Sequence, residues 1–511
     1  MKKRGGVLYG TALLTGVGLV SQGVGFFYRI VLSRMIGAEV MGLYQLIMPV
    51  YSVLLSLTAI GLTAAASTLS STYHALGNQK AAGMALRECV RAFLLLMAVL
   101  AGAVCLLSDP ISVYFLGDAR TRRGLLLLLP CVGLTGIENL HKHYFYGSGA
   151  VEKPAFSELL EQFIRTGAVL GLLAAFLPQN GERTVGLIVL GMVICEVFSA
   201  GLLILFYQRE KRRGQPGPGE EKRRLRGKIW AIAAPISLTA VAGNLMGAVN
   251  SVLIPQRLVA GGMTAEEAMA QFGVLCGMTL PMLMLPTAFL GALGLVLVPN
   301  MAERAALGDR KGIRAGIGRA AAAAGAVSLP AMAMMAAMGP ELGQLLFREE
   351  RVGEFILPLA AAVVLDCYRT VFACALNGIG EQQTTAKISI FCGGVQLMFT
   401  ALTVKIWGLS GYVAGFVLSD FLGLMLTVTA VKRKTGLETE WFRWAAAPGL
   451  SAALSGLTVN LLFKVLPGYG LSAGRSAAAC AGFGVVLYLG AMAALGVVPA
   501  PGRKKKPGRL P

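Results

Sequence analysis

The sequence is poor in charge and in the residue types on which most soluble enzymes depend. Only 14% of its 511 residues are charged, and it contains three histidines and four tryptophans. An average soluble domain has about 25% charged residues, so the composition excludes an ordinary soluble enzyme of two or three domains. Hydrophobic residues instead make up 55% of the chain, and the mean hydropathy is +0.67. These values are typical of a polytopic membrane protein.

Motifs for nucleotide, metal and disulfide chemistry are also missing. The sequence has neither a Gly-x4-Gly-Lys-Ser/Thr phosphate loop nor an HExxH zinc motif. Its nine cysteines include no CxxC pair, so neither a metal site nor a disulfide framework is indicated. We therefore expect a protein that is not an enzyme and that has no cofactor and no metal. The cysteines are interpreted as packing residues within apolar helices.

Long apolar stretches predict the fold class. A helix needs roughly 20 mainly apolar residues to cross a bilayer core about 30 Å thick. The stretches found here are continuous rather than alternating, which favours helices over strands. We predict an all-α polytopic membrane protein of about 14 transmembrane helices. Numbered as spans 1 to 14, the stretches are 7–31, 41–72, 89–108, 124–146, 155–177, 184–207, 229–257, 270–300, 317–339, 352–376, 385–407, 410–431, 444–466 and 474–497.

The distribution of positive charge predicts the orientation. Lys and Arg outnumber Asp and Glu by 46 to 26, and most of them fall in alternate gaps between the spans. Because positive loops stay on the cytoplasmic side, both termini are expected to be cytoplasmic. The run after residues 2–4 is too long and too polar for a signal peptide, so we predict an uncleaved first helix. The basic loops and tail are expected to contact anionic lipid, and no nucleic-acid partner is indicated.

Two short patterns recur about 230 residues apart and indicate an internal duplication. Ala-Ile-Gly-Leu at 59–62 matches Ala-Leu-Gly-Leu at 292–295, and Tyr-Gly-Ser-Gly at 146–149 matches Asn-Gly-Ile-Gly at 377–380. Six spans per repeat predict a parallel repeat about an axis along the membrane normal. The predicted organisation is a six-helix lobe (1–208), a basic linker (209–228), a second six-helix lobe (229–431), two additional helices (432–497) and a basic tail (498–511).

The stretch GFFYRIVLSRMIGAEVMGLYQL at 25–46 resembles the first helix and first outer loop of the stage V sporulation protein B group. These are polysaccharide-type flippases of the multidrug/oligosaccharidyl-lipid/polysaccharide exporter superfamily, related to lipid II flippases. The resemblance extends over essentially the whole chain as fourteen helices and two lobes. It implies flipping of an undecaprenyl-pyrophosphate-linked sugar across a bacterial cytoplasmic membrane by alternating access. The implied substrate is a peptidoglycan precursor such as lipid II, for spore cortex assembly, with cell-wall synthesis proteins as partners.

The chain departs from this family at two places. A further cavity arginine that lipid II flippases carry in the first helix has no match here, where Ser21 and Gln22 stand. The acids that bind sodium in relatives also have no match, because span 7 offers Asn244 and Asn250 and span 11 has no acid. The coupling ion is therefore left open between Na⁺ and H⁺.

Ionisable residues within the spans are the candidate functional residues. Each costs about 2.5–3.5 kcal/mol to insert, so it normally faces protein or water. Guanidinium groups pair with phosphate oxygens, although snorkelling to the interface is an alternative for Arg29. The candidate pyrophosphate-binding residues are Arg29, Arg34, Arg165 and Arg369. The candidate cavity acids, coupling sites or arginine partners are Glu158, Glu161, Glu196, Asp366 and Asp420.

Two other functions remain open on the sequence. A cation-coupled multidrug exporter of the same superfamily needs an acidic cavity, which Glu196, Asp366 and Asp420 could supply. An arginine in span 1 and two additional helices disfavour it. A membrane scaffold for wall synthesis that transports nothing would not need the arginines within the spans at all.

Overall fold

Helices account for nearly all of the structure. The computed structural model describes residues 2–213, 222–438, 440–466 and 472–496, and within them it has no β-strand. A helix satisfies its own backbone hydrogen bonds, as a segment in lipid requires. Thirteen helical segments are long and apolar enough to cross a membrane, which confirms the all-α polytopic fold. The predicted tail at 498–511 and the middle of the predicted linker lie outside the described residues.

The first two predicted spans form one helical run, Leu13–Ala75, of 63 residues. At 1.5 Å per residue a straight helix of this length would measure about 95 Å, roughly three times the bilayer core. The run is broken at Gly37, where φ is 75° and ψ is 176°. Glycine adopts this backbone conformation readily because it has no Cβ. The run therefore accounts for two crossings, which brings the number of crossings to the predicted fourteen.

One of two compact units comprises Met1–Met278 and Gly393–Gly415. Its core contains the fully buried rings of Phe93 and Phe145 together with Leu62 and Leu140. Its helices are α1 (Lys2–Leu55), α2 (Gly61–Ala75), α3 (Gln79–Leu106), α4 (Ser108–Pro110), α5 (Arg122–Ser148), α6 (Glu152–Phe176), α7 (Gly181–Arg213), α8 (Lys222–Ala260) and α9 (Ala265–Phe272).

The other compact unit comprises Thr279–Cys392 and Phe416–Pro511. Helices α15 and α16 each contribute residues to both units. The helices from this part of the chain are α10 (Leu280–Leu283), α11 (Leu285–Ala306), α12 (Arg310–Ala337), α13 (Gly339–Phe347), α14 (Ile356–Gly378), α15 (Gln382–Trp407), α16 (Leu409–Thr435), α17 (Ala447–Val465) and α18 (Ala473–Ala494). The predicted lobes at 1–208 and 229–431 were defined by the sequence repeat, whereas the two compact units are defined by packing. The lobes stay a prediction.

Span 8, predicted as one helix over 270–300, is interrupted. A π-helical segment, Gly273–Thr279, follows α9, and Met284 separates α10 from α11. Pro281 lies in the first turn of α10, and Pro286 lies in the first turn of α11. Proline has no N–H to donate to the preceding turn, so helices begin at it more easily than they continue through it.

Candidate functional site

Five charged side chains from three helices meet within the first unit. Glu138 and Lys142 lie in α5, Glu161 and Arg165 in α6, and Glu196 in α7. Residues four apart lie on one face of a helix, so α5 and α6 each present an acid and a base to the same interior. We call these five residues the charged cluster.

The charged cluster is connected by ion pairs. The Nζ atom of Lys142 lies 2.8 Å from Glu138 Oε1 and 2.8 Å from Glu161 Oε2. The Nη2 atom of Arg165 pairs with Glu161 and lies 3.4 Å from Glu196 Oε1. The side chains of Glu138 and Glu196 are only 1% and 0% exposed. An unpaired ion at this depth costs several kcal/mol, and the pairing offsets that cost.

Neutral groups complete the surroundings of the cluster. Ser199 donates a hydrogen bond to Glu138, and its Oγ atom lies 2.9 Å from the Oγ of Ser157. One carboxylate oxygen of Glu138 lies within 4.8 Å of one of Glu196, and the Oε2 atom of Glu196 has no hydrogen-bond partner among the described residues. Two ionised carboxylates this close repel each other, and a proton on one of them would relieve the repulsion.

The three glutamates have the spacing of a metal site, but the surrounding bases argue against one. One carboxylate oxygen from each of Glu138, Glu161 and Glu196 lies within 4.8 Å of the others. The Lys142 ammonium group already lies between two of these carboxylates, and Arg165 contacts Glu196. Internal cations thus take the place that a metal ion would need. The donor set fits an ion-pair network better than a metal.

Arg29 lies in α1, which packs against α6, one of the three helices of the charged cluster. A Cβ built on Gly25 of α1 would lie 3.1 Å from Gln162 Nε2 of α6, so the Gln162 side chain reaches α1 at this position. Arg29 follows one turn later in α1, and its Nη1 atom lies 3.4 Å from the Gly277 carbonyl oxygen, to which it donates. Within the part of the chain that the structure describes, Arg29 forms no ion pair. Arg34, farther along α1, is exposed.

Arg29 and Arg165 share a neighbourhood. Arg29 follows Gly25 by one turn of α1, and Arg165 follows Gln162 by one turn of α6, where the Gln162 side chain reaches Gly25. Tyr28 and Tyr44 of α1 are buried. The Tyr28 hydroxyl has no hydrogen-bond partner among the described residues. Buried hydroxyls rarely stay unpaired, so this group is a further candidate that the sequence did not single out.

A smaller set of ion pairs lies in the second unit. The Nη2 atom of Arg369 lies 2.5 Å from Asp366 Oδ1 and 3.3 Å from Asp420 Oδ1. Asp366 belongs to α14, as Arg369 does, and Asp420 belongs to α16. The structure thus brings these three candidates together, and it pairs an arginine with the acid of span 12 as it pairs Arg165 with the acid of span 6.

The structure brings some of the predicted site residues together and leaves others apart. Glu158 is half-buried and stands apart from the ion pairs of the charged cluster. Lys142 is not among the predicted site residues, yet it is only 12% exposed within α5. The spacing of four between Glu138 and Lys142 was the signal for an internal pair. Lys142 also pairs with Glu161 of α6. The sequence alone does not show that these two side chains meet.

The fold and the buried ion pairs define a multi-pass membrane protein with the architecture of known transporters. The structure is similar to that of lipid II flippase MurJ in an inward closed conformation, with a TM-score of 0.69 and 11% identity over 95% of this chain and 98% of that one. It is also similar to an inward-facing multidrug resistance MATE family transporter, with a TM-score of 0.66 and 15% identity over 83% of this chain and 98% of that one. At sequence identities of 11% and 15%, these similarities show a shared fold and nothing about function.

The family model described as polysaccharide biosynthesis protein matches residues 7–304, and the chain belongs to this family. Stage V sporulation protein B of Bacillus subtilis (strain 168) is 27% identical over 308 residues, which are 58% of this chain and 58% of that protein. The aligned region thus spans less than two thirds of that relative. Lipid II flippase MurJ of the same organism is 23% identical over 462 residues, 84% of this chain and 83% of that protein. The lipid II flippase is a transporter rather than an enzyme, and the prediction that this chain is not an enzyme is confirmed by its family.

Proposed function

We propose that the protein is a lipid-linked oligosaccharide flippase of the multidrug/oligosaccharidyl-lipid/polysaccharide exporter superfamily. Its substrate would be an undecaprenyl-pyrophosphate-linked sugar, such as the peptidoglycan precursor lipid II, moved across the membrane by alternating access. Family membership and the two Bacillus subtilis relatives support the class of transporter. The prenyl tail stays in lipid while the charged headgroup passes through a polar interior.

The observation that carries the proposal is the pair of arginines, Arg29 and Arg165, on the packed helices α1 and α6. Arg29 forms no ion pair among the described residues, and Arg165 engages acids through Nη2 while its Nε atom has no partner there. A guanidinium group offers five N–H donors in a planar fork. These N–H groups, with the Tyr28 hydroxyl, suit the oxygens of a pyrophosphate.

Arg29 is the residue on which to test this role, because its removal leaves no acid of the charged cluster unpaired. Arg29→Ala is expected to abolish complementation of a flippase-deficient strain while the protein still inserts at the wild-type level. Arg29→Lys, which keeps the charge but not the fork, should complement weakly. Full complementation by Arg29→Ala would remove Arg29 from the mechanism.

We further propose that the coupling ion is a proton bound by Glu138 and Glu196. Three carboxylates against Lys142 and Arg165 leave the ionised charged cluster with one excess negative charge, which disfavours a nearby anion. A proton on one of these two neighbouring carboxylates removes that excess. By linkage, protonation then strengthens headgroup binding, and headgroup binding strengthens protonation.

Glu196→Gln imitates the protonated state and tests this coupling. In proteoliposomes, wild-type flipping should depend on a pH gradient, and Glu196→Gln should lose that dependence. Glu158→Gln is the matched control, because Glu158 also lies within a span but outside the ion pairs; it should keep the dependence. A requirement for a sodium gradient instead would contradict the proton assignment.

The remaining details of the function are proposals of the same kind. We place both termini in the cytoplasm, the substrate among cell-wall precursors and the protein's partners among wall-synthesis proteins, with sporulation as the setting. Raised tolerance to cationic dyes in cells that express the protein would favour a multidrug exporter instead.

A further inference from the structure

One uncharged polar side chain of α6 lies against α1 beside the two arginines of the proposed pyrophosphate site. It is Gln162, whose Nε2 atom would lie 3.1 Å from a Cβ built on Gly25. Residues three or four apart share one face of a helix. Arg165 therefore shares the face of Gln162 on α6, and Arg29 shares the face of Gly25 on α1. The carboxamide group lies where these two faces meet.

The two helices run in the same direction, which sets the level of this group. A Cβ built on Gly10 would lie 3.1 Å from Val151 Cγ2 at the start of α6, and Gly25 meets Gln162 farther along both helices. The two arginines each follow by one turn, so they lie at about one level. The carboxamide lies next to that level, on the side of the helix N-termini.

The carboxamide of Gln162 has no partner within the part of the chain that the structure describes. Apart from the helix ladder, the residue takes part in one hydrogen bond, in which its backbone oxygen accepts from Thr166. Gly25 opposite has no side chain to offer, and its backbone belongs to α1. Gln162 is half-buried, so a ligand can reach the group. Both the NH2 donors and the oxygen acceptor are therefore free.

The free carboxamide does not belong to the apolar side of α6. That side is marked by Phe156 and Phe163, seven residues apart and 56% and 57% exposed. Each residue turns a helix by about 100°, which carries Gln162 away from Phe163 and towards α1. Polar groups within a span normally face protein or water and mark a substrate pathway. An apolar residue would pack against Gly25 equally well, so packing does not explain an amide here.

We propose that Gln162 is a specificity-determining residue that hydrogen-bonds the first sugar of the substrate, next to the pyrophosphate. The assignment rests on the proposed flippase function, in which Arg29 and Arg165 hold the pyrophosphate. An ionised pyrophosphate only accepts hydrogen bonds, so it would leave the carboxamide oxygen unpaired. Hydroxyl and acetamido groups of a sugar both donate and accept. The pyrophosphate joins the prenyl chain to this sugar, so a neutral polar group beside the arginines meets the sugar.

Binding of two probes separates recognition of the sugar from recognition of the pyrophosphate. The probes are lipid II and undecaprenyl pyrophosphate, which lacks the sugar, and their dissociation constants are measured on the purified full-length protein by native mass spectrometry. Gln162→Met keeps the size of the side chain and removes its hydrogen bonds. It should weaken lipid II binding about 2- to 10-fold, the effect of one hydrogen bond between uncharged groups. Binding of undecaprenyl pyrophosphate should not change.

Two glycines of α1 give a matched pair of variants that keep Gln162 in place. Gly25→Ala puts a Cβ at 3.1 Å from the Gln162 Nε2 atom and displaces the carboxamide, whereas a Cβ on Gly23 meets nothing within 4 Å. Gly25→Ala should weaken binding of lipid II but not of undecaprenyl pyrophosphate. Gly23→Ala should bind both probes as the wild-type protein does. This pair tests the proposal even where Gln162→Met fails to fold.

Arg29→Ala distinguishes failure of the sugar contact from failure of the proposed function. It should weaken both probes alike, because both carry the pyrophosphate. Wild-type binding of both probes by Arg29→Ala would count against the pyrophosphate site. With Arg29→Ala weakened, unchanged lipid II binding by Gln162→Met would overturn the sugar contact alone. Equal losses of the two probes in Gln162→Met would overturn it as well.

Discussion

At the scale of single residues, the charged cluster shows how a membrane protein can keep five ionisable side chains in its interior. Glu161 and Arg165 could be predicted as a pair, because their spacing of four fixes them on one face of a helix. Lys142 could not be placed, because a lysine near the end of a span looks like a loop residue by charge counting. Its burial depends on Glu161 of another helix, at 2.8 Å, and such contacts between helices are not encoded in local spacing.

Lys142→Met tests the energetic role of this lysine. The substitution leaves Glu138 and Glu161 without their shared cation, and breaking a buried pair in this way costs about 3–5 kcal/mol. Thermal unfolding in detergent should show a large loss of stability. Adding Glu138→Gln to Lys142→Met should restore part of it, because one uncompensated carboxylate is removed.

Lys153→Met is the matched control for Lys142→Met. Lys153 pairs with Glu210, and their side chains are 33% and 27% exposed. This pair is more accessible to water than the pairs of Lys142 and is therefore nearer to exposed pairs, which contribute about 0–1 kcal/mol. The variant should therefore unfold closer to the wild-type temperature than Lys142→Met does. Equal losses for the two lysine variants would show that burial of the cluster does not determine its contribution.

At the scale of helices, apolar run length predicted the crossings well, and helix boundaries less well. The number of crossings follows from bilayer thickness, which acts on each span separately. The break at Gly37 and the interruption of span 8 depend on backbone conformation. Glycines and prolines are abundant here, with 65 and 21 in the chain, so their presence alone did not show where helices break.

Close packing between α3 and α5 gives a prediction at this scale. A Cβ on Gly136 would lie 2.1 Å from the buried ring of Phe93, whereas a Cβ on Gly133, on the same helix, would meet nothing within 4 Å. Gly136→Ala should therefore destabilise the protein by about 1–3 kcal/mol through overpacking. Gly133→Ala should be neutral or slightly stabilising, since alanine favours helix by up to about 1 kcal/mol. Thermal unfolding of both variants measures this difference. Similar shifts in unfolding temperature for the two variants would contradict the close packing at Gly136.

At the scale of the whole molecule, orientation in the membrane is predicted from positive charge. If the N-terminus is cytoplasmic, Cys105 at the end of α3 faces the outside, and Leu307 after α11 faces the cytoplasm. Both positions are exposed. In intact cells a membrane-impermeant maleimide should label Cys105. It should label Leu307→Cys, in a Cys105→Ser background, only after lysis, and the reverse pattern would invert the topology.

The substrate and the sites that bind it are also properties of the whole molecule, and here sequence patterns were least informative. Arg29 and Arg165 are far apart in the chain, yet they lie in α1 and α6, which pack against each other. Tyr28 carried no sequence signal, because a tyrosine in an apolar helix is usually a packing residue. Its unpaired hydroxyl becomes a candidate ligand only when the three-dimensional neighbours are known.

Flipping of a defined undecaprenyl-pyrophosphate-linked sugar in proteoliposomes tests most directly whether Arg29 and Arg165 bind the pyrophosphate. A hydrogen bond to a charged group contributes about 1.5–3 kcal/mol, so Arg29→Ala should slow flipping by about 10- to 100-fold relative to the wild-type protein. Equal rates for the two proteins, at equal amounts reconstituted, would contradict the assignment of the headgroup to these arginines.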